Sequence, residues 1–105
     1  MKSSKSTVIY GVMIEELERN HRMKERYLLE IETLPKGSLV VRKIGNQEYC
    51  YINYRKNRKV ISQYIGKKEI INIDEWKKKI NKRKHLERVI KDLQEEEKQI
   101  RKILK

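Results

Sequence analysis

The apolar residues change their repeat twice along the chain, and its one proline stands beside the first change. Over residues 7–34, Tyr10, Ile14, Leu17, His21, Lys24, Leu28 and Ile31 recur at intervals of four and three, the period of one helix face. Glu15 with Arg19 and Glu18 with Arg22 support that helix at i,i+4 spacing, and Arg22 with Arg26 opposes it slightly. Pro35 ends the stretch, because the residue before a proline is pushed out of the helical region. Leu34-Pro35-Lys36-Gly37 then suits a tight turn, with Pro second and Gly fourth.

From residue 38 to 66 the repeat is alternating. Ser38–Ile44, Glu48–Arg55 and Lys59–Ile65 are rich in Val, Ile and Tyr, and the gaps Gly45-Asn46-Gln47 and Lys56-Asn57-Arg58 are short enough to force antiparallel neighbours. A three-stranded meander closed by Gly66 is expected. With a two-residue turn at Gly45-Asn46, Lys43 faces Glu48, Val41 faces Cys50 and Leu39 faces Ile52, which gives one apolar face and one opposite-charge pair. The second hairpin is ambiguous by one residue, and such a slip exchanges the faces of the third strand.

Residues 72–104 return to the helical period. Asn72 and Glu75 fit a capping box, Ile71 and Trp76 a hydrophobic staple, and Leu86, Ile90, Leu93, Glu97, Ile100 and Leu104 keep the four-three spacing. A helix this long needs a partner along its length. The expected fold is α+β: a long N-terminal helix, a three-stranded antiparallel meander and a long C-terminal helix, with the two helices paired as an antiparallel hairpin. Ile14, Leu17, Leu28 and Ile31 would meet Leu86, Ile90, Leu93 and Ile100. Residues 1–6 are expected to be flexible and 7–105 to form a single α-β-β-β-α domain. A homodimer through the C-terminal helix is the alternative use of that face.

Lys and Arg number 27 against 15 acids, a formal charge of +12, and the excess is focused. Residues 1–35 hold six basic and six acidic side chains, residues 36–84 fifteen and four, and residues 85–105 six and five. Lys77, Lys78 and Lys79 oppose the dipole of the helix they open, and Arg55, Lys56, Arg58 and Lys59 crowd one hairpin. An anionic partner relieves both. Tyr49, Tyr51, Tyr54 and Tyr64 are interleaved with this charge. Most suit strand packing, but Arg42, Tyr49, Tyr51 and Arg55 share one face in the expected register, so that face is the candidate contact.

Catalytic and metal chemistry find little support. His21 and His85 have no Cys or His at ligand spacing, Glu95-Glu96-Glu97 is a solvated run, the glycines are isolated, and Cys50 suits a small core filler. No cofactor and no metal are expected, and the chain is not expected to be an enzyme. One cysteine and no long apolar run point to a cytoplasmic protein that does not engage a membrane.

Residues 34–67 carry Leu34-Pro35-Lys36-Gly37-Ser38, Tyr49-x-Tyr51-x-x-Tyr54-Arg55 and Lys59-Val60-x-Ser62-x-Tyr64-Ile65-Gly66-Lys67. This block resembles small uncharacterised basic proteins of low-GC bacteria, often carried on phage and other mobile elements, in which a helix, a Tyr-rich meander and a Lys/Glu-rich helix follow in this order. More loosely, it resembles the N-terminal strands of insertion-element transposases and the three-stranded arm-type DNA-binding domains of phage integrases. The second hairpin turn of such proteins usually carries glycines, where this chain has Lys56-Asn57-Arg58. The integrase likeness implies a meander in the major groove. Arg42, Arg55 and Arg58 would then reach bases or phosphates, and Lys67, Lys68, Lys77 and Lys78 the flanking backbone.

The expected function is therefore a nucleic-acid-binding accessory protein of a phage or mobile element, with DNA ahead of RNA. Two other classes stay open: a phage-encoded inhibitor of a host nucleoprotein complex (an anti-CRISPR protein, for example) and a coiled-coil interaction protein.

Overall fold

In the computed structural model the described residues are 3–105, with side chains from Thr7 onward. The expected flexible segment, residues 1–6, therefore lies outside the described residues or outside those with described side chains. The elements are α1 (Ser3–Ile31), β1 (Ser38–Ile44), β2 (Gln47–Lys56), β3 (Lys59–Lys67) and α2 (Ile73–Leu104). This is the expected α+β order, and it divides into two compact units. One comprises the residues up to Glu32 with Leu86–Lys105; the other is Thr33–His85.

In the first unit, α1 and the second part of α2 pair antiparallel. Ile9 and Tyr10 lie beside Ile103 and Leu104, while Asn20 reaches Leu93 and Glu96 farther along. Leu86, Ile90, Leu93 and Ile100 are buried, as their spacing predicts, and so is Ile31. On α1, Ile14 and Leu17 are half-buried as expected, and the seam departs from expectation at Leu28 and Asn20. Leu28 is 48% exposed, whereas Asn20 is only 1% exposed and Met13, Leu17, Lys24 and Tyr27 are partly covered. The seam runs through Asn20 because its Nδ2 donates to the Leu93 carbonyl at 2.8 Å and to Glu96 Oε1 at 3.2 Å. A buried amide with such bonds fixes the rotation and register of a helix pair in a way that leucines do not. Lys24 and His21 meet Glu97, and Arg101 closes on the same carboxylate at 2.7 Å. Arg19 pairs with Glu16, three residues away, where Glu15 was the expected partner.

α1 stops at Ile31, three residues before the expected end. Pro35 has no N–H to offer the Ile31 carbonyl, its ring crowds that carbonyl, and it forces Leu34 off the helix. The tight turn expected at Leu34–Gly37 is replaced by an extended segment with bends at Leu34 and Gly37. The Leu34 carbonyl, which that turn would have used as its acceptor, receives Arg83 Nη1 at 2.8 Å.

In the second unit the sheet has the order β1-β2-β3. Its first hairpin has the expected register, with Leu39 opposite Ile52, Val41 opposite Cys50 and Lys43 opposite Glu48. Gly45 carries the positive φ of 64° that a turn opening on Gly-Asn requires. In the second hairpin Lys56 faces Lys59 across a two-residue turn. Asn57 and Arg58 both have positive φ, 51° and 67°, the pattern of a type I′ turn. Tyr51 pairs with Tyr64 but Cys50 pairs with Gly66, so Ile65 is the extra residue of a bulge. β3 thus runs past Gly66, which does not close the sheet as expected. A Cβ on Gly66 would overlap the Ile71 side chain, so glycine lets the chain fold tightly back toward α2. Asn72 Oδ1 accepts from Glu75 N at 3.1 Å and caps α2, while the Glu75 carboxylate reaches forward to Lys79 at 3.3 Å.

The core of this unit sits on one side of the sheet. Cys50 and Ile52 are 0% and 4% exposed, and Ile80 of α2 is 4% exposed. Trp76 shares a cleft with Pro35, Ile52, Tyr54 and Ile65. The first turns of α2 therefore cover the face that carries Cys50, Ile52 and Tyr54.

Candidate nucleic-acid interface

Strand alternation turns every second residue of the meander away from that core. Directly opposed residues of antiparallel strands share a face, so the pairings assign it: Ser38, Val40, Arg42 and Ile44 of β1; Gln47, Tyr49, Tyr51, Asn53 and Arg55 of β2; Val60, Ser62 and Tyr64 of β3. No carboxylate stands among these residues. Four of the expected contact residues, Arg42, Tyr49, Tyr51 and Arg55, lie together here.

The centre of this face is a linked cluster. The Arg42 guanidinium carbon lies 4.7 Å from the Tyr51 ring centroid, and its Nη2 donates to Ser62 Oγ at 3.2 Å. One side chain of β1 is thus held by β2 and β3 together, with its charge fixed over an aromatic ring. Tyr64 adjoins Tyr51 at 5.5 Å and Tyr49 at 6.2 Å between centroids, both tilted. Ile44, Tyr49, Tyr51 and Tyr64 line a shallow depression. Tyr64 is 52% exposed and was missing from the expected contact set. Its place depends on the second hairpin's register, which alternation alone left open. Tyr54, by contrast, packs on the core side beside Pro35 and Trp76.

Arg55, Lys56, Arg58 and Lys59 are exposed at the far hairpin. Lys56 and Lys59 are directly opposed, a like-charge pairing that costs stability. Arg58 holds a left-handed conformation that glycine takes without strain.

Of the remaining expected contacts, Lys67 alone borders this face: it pairs with Tyr49, at the opposite end of β2 from the charged hairpin. Lys68 is tied to Glu48, by Nζ at 3.4 Å and by its backbone N–H to the Glu48 carbonyl at 3.0 Å. Lys77 and Lys78 are exposed on α2, whose Trp76 packs on the core side of the sheet. They therefore belong to the side of the unit away from Tyr49, Tyr51 and Tyr64. Among the described residues, no group of three or more His, Cys, Asp or Glu could hold a metal ion, and no helix is long and apolar enough to cross a membrane.

A family model described as a domain of unknown function, DUF6788, matches residues 13–78. The chain belongs to that family. The matched span of the DUF6788 domain contains the whole meander and the opening of α2, and so every expected contact residue from Arg42 to Lys78. No curated protein and no solved structure matches the chain.

Proposed function

We propose that this protein is a non-enzymatic nucleic-acid-binding protein, acting in the cytoplasm, and that it binds DNA through the outer face of its meander and the charged hairpin beside it. The observation that carries the proposal is the acid-free face on which Arg42 is held over Tyr51 and bonded to Ser62, with Arg55 on the same face. Cations fixed on a sheet among aromatic rings suit a ligand that offers both phosphates and bases. The adjoining hairpin supports the same conclusion. Opposed lysines and a left-handed arginine weaken the fold, and a polyanion offsets their repulsion. The resemblance of residues 34–67 adds a setting, a phage or other mobile element.

Fluorescence anisotropy with labelled oligonucleotides tests the proposal. A variant with Arg55, Lys56, Arg58 and Lys59 each changed to Ser should bind at least tenfold more weakly than the parent and with a shallower salt dependence. Absence of binding at low salt by the parent protein would contradict the proposal and turn attention to a protein or nucleoprotein partner.

A further inference from the structure

The outer face of the meander is an aromatic floor as well as a charged one. We infer that this floor stacks the unpaired bases of single-stranded DNA, with Tyr64 as the principal platform; the inference rests on the nucleic-acid reading above and names its ligand. The depression is lined by one aliphatic and three aromatic side chains, Ile44, Tyr49, Tyr51 and Tyr64. Its outer members are open to solvent, Tyr64 at 52% and Ile44 at 58% exposed.

A duplex offers such a surface little. Its bases hide their flat faces in the stack and present phosphates and groove edges, which an apolar floor desolvates without return. An unpaired base is flat and apolar on its faces and hydrogen-bonds only at its edges, so it matches the floor. The charges complement this arrangement. Arg42 and Arg55 share the face and Lys67 stands opposite Tyr49, so phosphates at the margins of the floor meet cations. At the Ile44 edge of the floor a ribose 2′-hydroxyl finds no hydrogen-bond partner on the side chain, which favours DNA over RNA there. Arg42 already lies over the Tyr51 ring, so the more exposed Tyr64 is the ring best placed to receive a base.

The test compares four labelled ligands of equal length with the full chain: oligothymidylate, an abasic strand that keeps the phosphates, a DNA duplex and oligouridylate. Oligothymidylate should bind tightest, ahead of the abasic strand by about tenfold or more. Tyr64→Leu should weaken oligothymidylate binding by about 5- to 100-fold and leave abasic binding unchanged, a split that a folding defect would not produce. Duplex or abasic strand bound as tightly as oligothymidylate would overturn the single-strand inference while the nucleic-acid proposal stands. Oligouridylate bound as tightly would overturn the choice of DNA. Failure of all four ligands to bind at low salt would remove the nucleic-acid proposal itself.

Discussion

One residue carries a backbone cost and another an electrostatic gain. Arg58 sits at φ 67°, where an L-residue with a long side chain loses about 1–2 kcal/mol relative to glycine. Asn57 before it tolerates the same region because its short amide bonds locally. Arg58→Gly should therefore raise stability by about 1 kcal/mol in thermal unfolding while lowering nucleic-acid affinity, a trade expected where strain serves a contact. In the helical unit, Lys24 first, and then Arg101, holds the Glu97 carboxyl down to about 2 from an ordinary 4.5, and His21 adds to the effect against the opposing pull of burial. Because the folded value lies below the unfolded one, this stabilisation is complete above about pH 4.5 and is lost as pH falls through about 2. Glu97→Gln should cost about 1–2 kcal/mol at neutral pH and flatten the acid limb of urea midpoints measured against pH.

At the scale of elements, Gly66 is the joint of the sheet unit. It has a φ of 147° and no room for a Cβ beside Ile71, so Gly66→Ala should destabilise by about 1–3 kcal/mol, read from denaturant unfolding. The first hairpin was legible because a Gly-Asn turn, one opposite-charge pair and one apolar face all require the same register. The second was not. Its turn has no glycine to mark it, and the bulge at Ile65 changes the pairing parity beyond Tyr51. The unmarked turn register also hid Tyr64 from the candidate site, whereas Arg42, Tyr49, Tyr51 and Arg55 followed from alternation along β1 and β2. The seam of α1 departs from its apolar period at Leu28 and Asn20 for another reason. Periodicity counts apolar residues, and here the fully buried position is Asn20, held by a carbonyl of the facing helix. Lys77 and Lys78 were grouped with the meander because nearness in sequence does not say which side of a sheet a helix covers. Trp76 decides that, by packing beside Ile52, Tyr54 and Ile65.

Across the whole molecule, charge and structure divide at the same places. The unit Thr33–His85 holds fifteen basic and four acidic residues, while the helical unit holds twelve and eleven. The excess charge thus belongs to the unit with the exposed aromatic face, and the paired helices are nearly neutral. Nucleic-acid affinity should therefore fall steeply with salt, about a thousandfold or more between 50 and 200 mM if six or more phosphates are engaged. Anisotropy titrations should assign that slope to the meander's charges and none of it to the lysines at the C-terminal end of α2. The most direct test of the central claim is an NMR chemical-shift map of the labelled protein titrated with whichever oligonucleotide it binds tightest. The account predicts shifts concentrated at Arg42, Tyr49, Tyr51, Tyr64 and the hairpin from Arg55 to Lys59. Shifts confined to Lys77, Lys78 and the paired helices, with the tyrosine face silent, would contradict it.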